Sequence, residues 1–446
     1  MVFSSPEFLF LFLPLALLCI SFRSLRLQNH LLLGFSLLFY ALTDLAHFLL
    51  FAIVIVYSYF AGLWLARLHS RVWIVLTVLP LIANLFVYKY LDTVMTALAL
   101  PLLFRLILPV GISFYTFQSL SYLFDVARRD IPPEKNFFSF ALYLSLFPQL
   151  VAGPIVRYTD VAAELTARTP NTRGIERFML GLAKKVLIAD AMGEIFVSAQ
   201  SGVGNSAIFA WLGLSAAAFQ IYFDFSGYSD MAIGIGQMLG FRFPENFDYP
   251  YTARSACEFW RRWHITLSSF FRSYVYIPLG GNRRGRIRTV INLTVVWALT
   301  GLWHGPTLNF LLWGLYWLFF QLLEKFCGVS VLLSRLPRVI SHLYAIILIL
   351  FGWLLFFFTD LGVLVSYVKA MFSAPLLNAA SLFDLLRLFP FFLCAALLAT
   401  PLPMRLYRRM RELRPSVGVV LPLFLFLISV SFLLFRDYSP FLYFRF

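Results

Sequence analysis

Apolar runs of helical length follow one another from Phe8 to Phe435, parted by short breaks that carry most of the arginines and lysines. About 20 such residues cross a bilayer as a helix, and shorter ones enter it only where protein or a cavity covers their backbone. With 61% hydrophobic and only 13% charged residues, the chain has little polar surface to spare for a soluble domain. It reads as an all-α polytopic membrane protein in contact with membrane lipids. The 51 phenylalanines suit lipid contact and membrane interfaces. A net charge of +15 would suggest nucleic acid in a soluble protein. Here the charge sits in loops between apolar runs, where topology and lipid contact explain it, and nucleic acid is not expected as a partner.

The apolar pattern predicts helices near 7–22, 31–43, 46–66, 72–89, 96–108, 111–127 and 137–152, then near 175–197, 206–223 and 228–240. Later ones are expected near 287–303, 307–326, 340–358, 382–400 and 417–435. Several are too short to span, so some are re-entrant, and the expectation is ten to thirteen transmembrane and re-entrant helices in a single domain over 1–446. The run Phe8–Ile20 lacks a basic flank and an A-x-A site, and reads as a retained first helix. Arg23, Arg26 and His30, Arg67 and Arg71, and the cluster Arg405, Arg408, Arg409, Arg411 and Arg414 mark cytoplasmic loops, which puts both termini outside. The scattered Cys19, Cys257, Cys327 and Cys394 form no CxxC pair and suggest neither zinc nor disulfides.

Polar residues break into the apolar pattern over 145–326, the expected catalytic core. In "LFPQLVAGPIVRY", 146–158, two prolines and a glycine interrupt a helix. That marks a cavity lining or a loop at the bilayer edge. In "GLAKKVLIAD", Lys184 and Lys185 adjoin an apolar stripe. The favoured reading is an interfacial helix with snorkelling lysines, the sharper one a contact with an anionic donor such as a CoA phosphate. Asp224 stands in an aromatic stretch. It is either functional or structural, pairing with an arginine or capping a half-helix at Ser226–Asp230. "GIGQMLG" reads as small residues for close helix packing. In "CEFWRRWHITLSSFFRSYVYIPLGGNRRGRIR" the tryptophans with Arg261 and Arg262 suit a membrane interface, and Arg283–Arg288 a cytoplasmic loop.

That stretch also holds His264, and "LTGLWHGPTLNFLLWG" holds His304 among Leu, Trp and Phe. A buried imidazole in such surroundings is costly unless satisfied or used. No HExxH or carboxylate cluster supports a metal, and no GxSxG elbow supports a serine triad. A general base or a hydrogen-bond partner remains for each histidine.

Taken in order, "LPVGISFYTFQSLSYLFDV", "FPQLVAGPIVRY", "GLAKKVLIAD", "DFSGYSDMAIGIGQMLGFRFPENFDYPY", "FWRRWHITLSSFFRSYVYIPLGGNRRG", "LTGLWHG" and the terminal "FLYFRF" resemble the membrane-bound O-acyltransferase family, within it the bacterial alginate O-acetyltransferase-like branch. The resemblance covers nearly the whole chain. It implies a ring of helices around a thinned centre with a cytoplasmic funnel, and an essential histidine that falls on His304, with a second on His264. After "WHG" relatives often carry Ala-Ser-Trp-Asn-Phe where this chain has Pro306 to Phe310, so Leu308 replaces a tryptophan and Asn309 is kept. Local packing beside His304 is therefore expected to differ at Leu308, with Gly301, Gly305 and Pro306 breaking the backbone.

The implied activity is O-acyl transfer, here O-acetylation. A cytoplasmic thioester, acetyl-CoA or another, serves as co-substrate, no cofactor is bound, and the acceptor is an extracytoplasmic polysaccharide such as an alginate-like exopolymer, cellulose or peptidoglycan. The implied setting is the bacterial inner membrane, with a periplasmic SGNH-type acyltransferase as partner. The tail 436–446 is expected outside, with Tyr443 as an acyl carrier or an interface anchor. D-alanyl transfer to teichoic acid, a transporter built around Asp224 and a non-catalytic scaffold are the alternatives. The last two predict tolerance of His304→Ala in an acyl-transfer assay or no transfer at all.

Overall fold

A computed structural model of the chain describes residues 1–68, 70–100, 106–201, 206–435 and 441–442. It is helical throughout, with no strand among the described residues. The chain forms two compact units.

The first unit comprises Met1–Gly181, Tyr228–Glu245 and Leu433–Arg445. After a helical stretch over Phe8–Ser21 come α1 (Leu25–Thr43), α2 (Phe48–Leu65), α3 (Arg71–Ala97), α4 (Ile112–Ala127), α5 (Phe137–Ser145), α6 (Tyr158–Thr166) and α7 (Arg173–Ala183). Side-chain caps fix several starts: Asn136 Oδ1 accepts from Phe138 N at 2.9 Å to open α5. The helix expected over 96–108 is not found among its described residues. α3 absorbs its first residues, and 106–109 are irregular. Pro109 disfavours helical backbone before it, and Asp44, closing α1, accepts from Val110 N at 2.9 Å. The Pro-rich stretch forms one short turn, Phe147–Leu150, and then runs irregularly to Val156 while staying buried. Gly153 takes φ +101° there, against the Tyr228 ring, a conformation glycine alone adopts freely. A bilayer-edge loop would be exposed. This one is broken backbone covered by protein.

The second unit comprises Leu182–Gly227, Asn246–Phe432 and Phe446. A π-helical turn, Lys184–Ala189, leads into α8 (Asp190–Ser201). α9 (Ala207–Leu239) contributes its first part to this unit and its last to the other. Then follow α10 (Ala256–Arg262), α11 (Ile265–Phe271), α12 (Gly285–His304), α13 (Leu308–Phe326), α14 (Val329–Arg335), α15 (Arg338–Phe357), α16 (Leu361–Ser373), α17 (Ala379–Leu398), α18 (Leu402–Leu413) and α19 (Val417–Phe435).

α9 corrects the expected pair of helices near 206–223 and 228–240, because Ser226–Asp230 do not break it. Asp230 caps nothing. It accepts from Arg177 Nε at 3.0 Å, and the same guanidinium reaches Glu245 at 2.6 Å. Gly234 lies so close to α7 that a Cβ would sit 2.7 Å from Gly174 O, in keeping with the small-residue reading of "GIGQMLG". The basic loop expected at 405–414 is the helix α18. α6, α10, α11, α14 and α16 also escaped the pattern, being too short for helical periodicity to stand out.

Among the described residues, six helices are long and apolar enough to cross a membrane, or seven if the pair α13 and α14, bent by 72°, is one broken span. The protein is thus multi-pass. The tryptophans expected at the interface are instead core residues. Trp260 packs on Trp297 at 4.7 Å between ring centroids and Trp263 on Trp353 at 4.8 Å, all four buried. Large aromatic surfaces gain most when fully desolvated, which outweighs an interfacial position.

Candidate functional site

α10 ends at Arg262, and two residues later the chain turns sharply. His264 takes φ +42°, left-handed backbone that a non-glycine residue occupies only under constraint. The constraint is Asn246. Its backbone O accepts from Ile265 N at 3.0 Å, and its side-chain Oδ1 accepts from Thr266 Oγ1 at 2.9 Å and from Thr266 N at 3.4 Å. An atom that accepts from a backbone N–H must be the amide oxygen. The His264 Nδ1 lying 3.0 Å from that oxygen therefore carries the ring proton. His264 is the Nδ1–H tautomer, and its Nε2 is a buried lone-pair nitrogen with no hydrogen-bond partner among the described residues. Burial pushes the imidazole down to about 3 from its ordinary value, so the ring is neutral.

His304 is the last residue of α12 and is buried. Rings among the described residues that pack on it are Trp303 at 4.7 Å, Phe356 at 4.9 Å, Trp313 at 5.0 Å and Phe310 at 6.0 Å. The two histidines, forty positions apart, lie against one indole, since the Trp303 ring is also 5.9 Å from His264. α12 and α13 approach closely because Gly301 and Gly314 have no Cβ to meet Phe310 O and Trp297 O. Gly301 is thus a packing residue inside a continuous helix, not the expected break. The turn itself uses Gly305, Pro306 and Thr307, and α13 starts at Leu308, two residues after the proline.

Leu308 overturns a second expectation. It is 57% exposed, so the residue that replaces a tryptophan takes no part in the cage. Asn309, fully buried, donates from Nδ2 to Leu355 O at 3.1 Å and Phe356 O at 3.4 Å. It ties α13 to the end of α15 and holds Phe356 against His304.

The lysines divide. Lys184 is half-buried, while Lys185 is buried and ion-paired on two sides, with Asp190 at 2.7 Å and Asp224 at 2.8 Å. It does not snorkel. Asp224 pairs with this lysine, where an arginine was expected, and lies inside the continuous α9 instead of capping a half-helix. Its neighbour Phe225 packs edge-on to His264 at 4.7 Å, so the ion pair anchors the segment of α9 that flanks the site. Arg261 is exposed, and Arg262 pairs with Glu258 at 2.9 Å and Asp248 at 3.1 Å, so neither is gathered at the histidines. Tyr443 lies outside the described residues. Asn246, Thr266, Trp313 and Phe356 complete the site and were not singled out in the sequence. Asn246 stands 18 residues before His264 with no local pattern to mark it.

The arrangement pairs a neutral lone-pair nitrogen with a second imidazole in an aromatic cage. It can orient a hydroxyl and remove its proton while excluding water.

Residues 35–368 match the model of the membrane-bound O-acyltransferase family. The chain is 41% identical to a protein of Pseudomonas aeruginosa named "Probable alginate O-acetylase", over 84% of this chain and 75% of that one. It is 38% identical to one of the same name from Pseudomonas putida over the whole of both chains. To a peptidoglycan O-acetyltransferase of Helicobacter pylori it is 36% identical, over 71% of this chain and 68% of that one.

Proposed function

Since the chain belongs to the membrane-bound O-acyltransferase family, in its alginate O-acetyltransferase-like branch, we propose that it carries an acetyl group from a cytoplasmic thioester across the inner membrane for O-acetylation of an extracytoplasmic polysaccharide. His304 is the general base. An alginate-like exopolymer is the favoured acceptor class, because relatives named for alginate match at 38–41% identity and the one named for peptidoglycan at 36%.

The carrying observation is that both histidines lie against the Trp303 ring, while burial holds the His264 imidazole neutral. A thioester carbonyl is already electrophilic, whereas the acceptor hydroxyl must lose its proton as it attacks. The hydroxyl oxygen bonds to the carbonyl carbon, the C–S bond breaks, and the proton passes through imidazole to the departing thiolate. With its pKa held near 3, His264 is a poor proton carrier, but its Nε2 can accept the hydroxyl hydrogen bond and orient the nucleophile. That leaves proton removal to His304. The rings around it exclude water, which would otherwise hydrolyse the donor.

The test is transfer of labelled acetyl from acetyl-CoA to polymer in membranes holding equal amounts of wild type and His304→Ala. The expected loss is 10²-fold or more, the scale of general-base catalysis. Undiminished transfer in correctly inserted His304→Ala protein sinks the assignment and favours a scaffold. Absence of transfer in wild type, with sensitivity to Asp224→Asn in solute uptake, favours a transporter.

A further inference from the structure

Away from the histidines, the second unit holds a cleft of about 330 Å³, in the range that takes small ligands. One wall is largely apolar: Phe219 of α9, and Ile346, Ile349 and Leu350 of α15, with Ser215 of α9 spending its hydroxyl hydrogen on Trp211 O at 2.9 Å. Its other end is polar: Thr252, His342 and Thr400. The polarity follows the candidate spans. α15 opens at Arg338 and α17 closes at Leu398, both long and apolar enough to cross a membrane, so His342 and Thr400 lie near span ends while Leu350 stands about 12 Å further along α15.

The next element lies at the same span end. α18, starting two residues after Thr400, exposes Leu402, Leu406, Met410 and Leu413 on one face and Arg405, Arg408 and Arg409 beside them. Such a helix lies in the interface plane with its arginines at phosphate level.

The hydrogen-bond state of the polar end is the informative part. His342 Nδ1 lies 3.0 Å from Ala253 O, which can only accept, so Nδ1 carries a proton, and in the neutral imidazole Nε2 is an acceptor. Thr252 spends its hydroxyl hydrogen on Tyr249 O at 2.7 Å, and Thr400 spends its own on Leu397 O at 2.7 Å. With the imidazole neutral, each of these lining residues therefore keeps acceptor capacity and has already spent its side-chain proton. A headgroup bound there must bring the protons.

From this we propose that the cleft is a binding site for one phospholipid with a primary-ammonium headgroup. An acyl chain lies along α15, the ammonium is held by His342, Thr252 and Thr400, and the phosphate sits toward the arginines of α18. Three acceptors match the three N–H donors of –NH3⁺. A trimethylated ammonium offers none. An anionic headgroup would bring charge but too few donors for this rim.

The experiment uses the full-length protein, purified in detergent, stripped of lipid and mixed with phosphatidylethanolamine, phosphatidylcholine or phosphatidylglycerol of identical acyl chains. Native mass spectrometry counts the lipid retained. Phosphatidylethanolamine should be retained about tenfold more tightly than phosphatidylcholine, the scale of one or two lost hydrogen bonds. Ala396 is exposed and lines the cleft, so Ala396→Trp should fill it without disturbing the core and abolish the preference. Thr400→Val should halve or further reduce it. Equal retention of the ammonium and trimethylammonium lipids, tighter retention of phosphatidylglycerol, or an unchanged preference in Ala396→Trp overturns the assignment. Acetyl transfer is not the readout, so the outcome is independent of the catalytic reading.

Discussion

His264 and His304 are the same residue type, both buried and both against Trp303, yet they are held by opposite means. His264 sits on left-handed backbone and is clamped by a polar residue, Asn246, which dictates its tautomer. His304 ends a regular helix and is walled by aromatic rings. A polar clamp fixes where a ring's protons are, and an aromatic cage fixes what can reach it. The contrast explains how two histidines near one indole can do different work.

The largest effect expected of that contrast is kinetic. His304→Gln should lower acetyl transfer by 10²–10⁴-fold, the range for loss of a general base. His264→Gln keeps an amide oxygen able to accept a hydrogen bond, and should lose only about tenfold. Equal losses at the two positions, measured at matched membrane abundance, would break the division of labour.

A smaller effect should come from the clamp. Asn246→Ala strips an acceptor from His264 Nδ1–H and from both protons of Thr266, all buried. Leaving buried donors unpaired should cost about 3 kcal/mol of stability in detergent, read as a lowered Tm. In the cage, Trp313→Phe should be milder because ring contact survives. A larger loss in Trp313→Phe than in Asn246→Ala would reverse the comparison.

The pH dependence is the third. The folded pKa of His264 is lowered to about 3, so the unfolded chain, near 6.5, binds the extra proton first. The stability this contributes is complete above pH 6.5 and is lost as pH falls toward 3. Between pH 7 and pH 5 the loss should be about 2 kcal/mol. His264→Phe should flatten that slope. A slope unchanged by the substitution would place the titration elsewhere.

How much of this could be read from the chain depended on distance along it. The His304 turn was legible because Trp303, Phe310 and Trp313 stand within one short stretch. Asn246 and Phe356 were not, because nothing near them in sequence distinguishes a clamp or a wall from any other Asn or Phe. Lys185 misled for a different reason. A lysine beside an apolar stripe looks the same whether it snorkels to water or meets two carboxylates, and its partner Asp224 lies on another helix. α9 misled because Ser, Gly and Asp ordinarily interrupt helices. Here Asp224 and Asp230 are each paired with a cation, so the polar stretch stays helical. The membrane class itself rested on composition and needed no partner information.

The smallest expected effect concerns Leu308, where the sequence pointed to the most distinctive feature of the cage. The side chain begins α13, directly after Thr307, but faces outward and is 57% exposed, while Phe310 and Trp313 on the same helix turn toward His304. Phe310 lies two positions after Leu308, close to 200° around a helix, which puts them on opposite faces. Leu308→Trp, the change toward the relatives, should therefore leave stability within about 0.5 kcal/mol and acetyl transfer unchanged. A change of fivefold or more in transfer, with Tm unaltered, would mean that the outward face of α13 reaches substrate. The cage around His304 would then extend beyond the rings that pack on it.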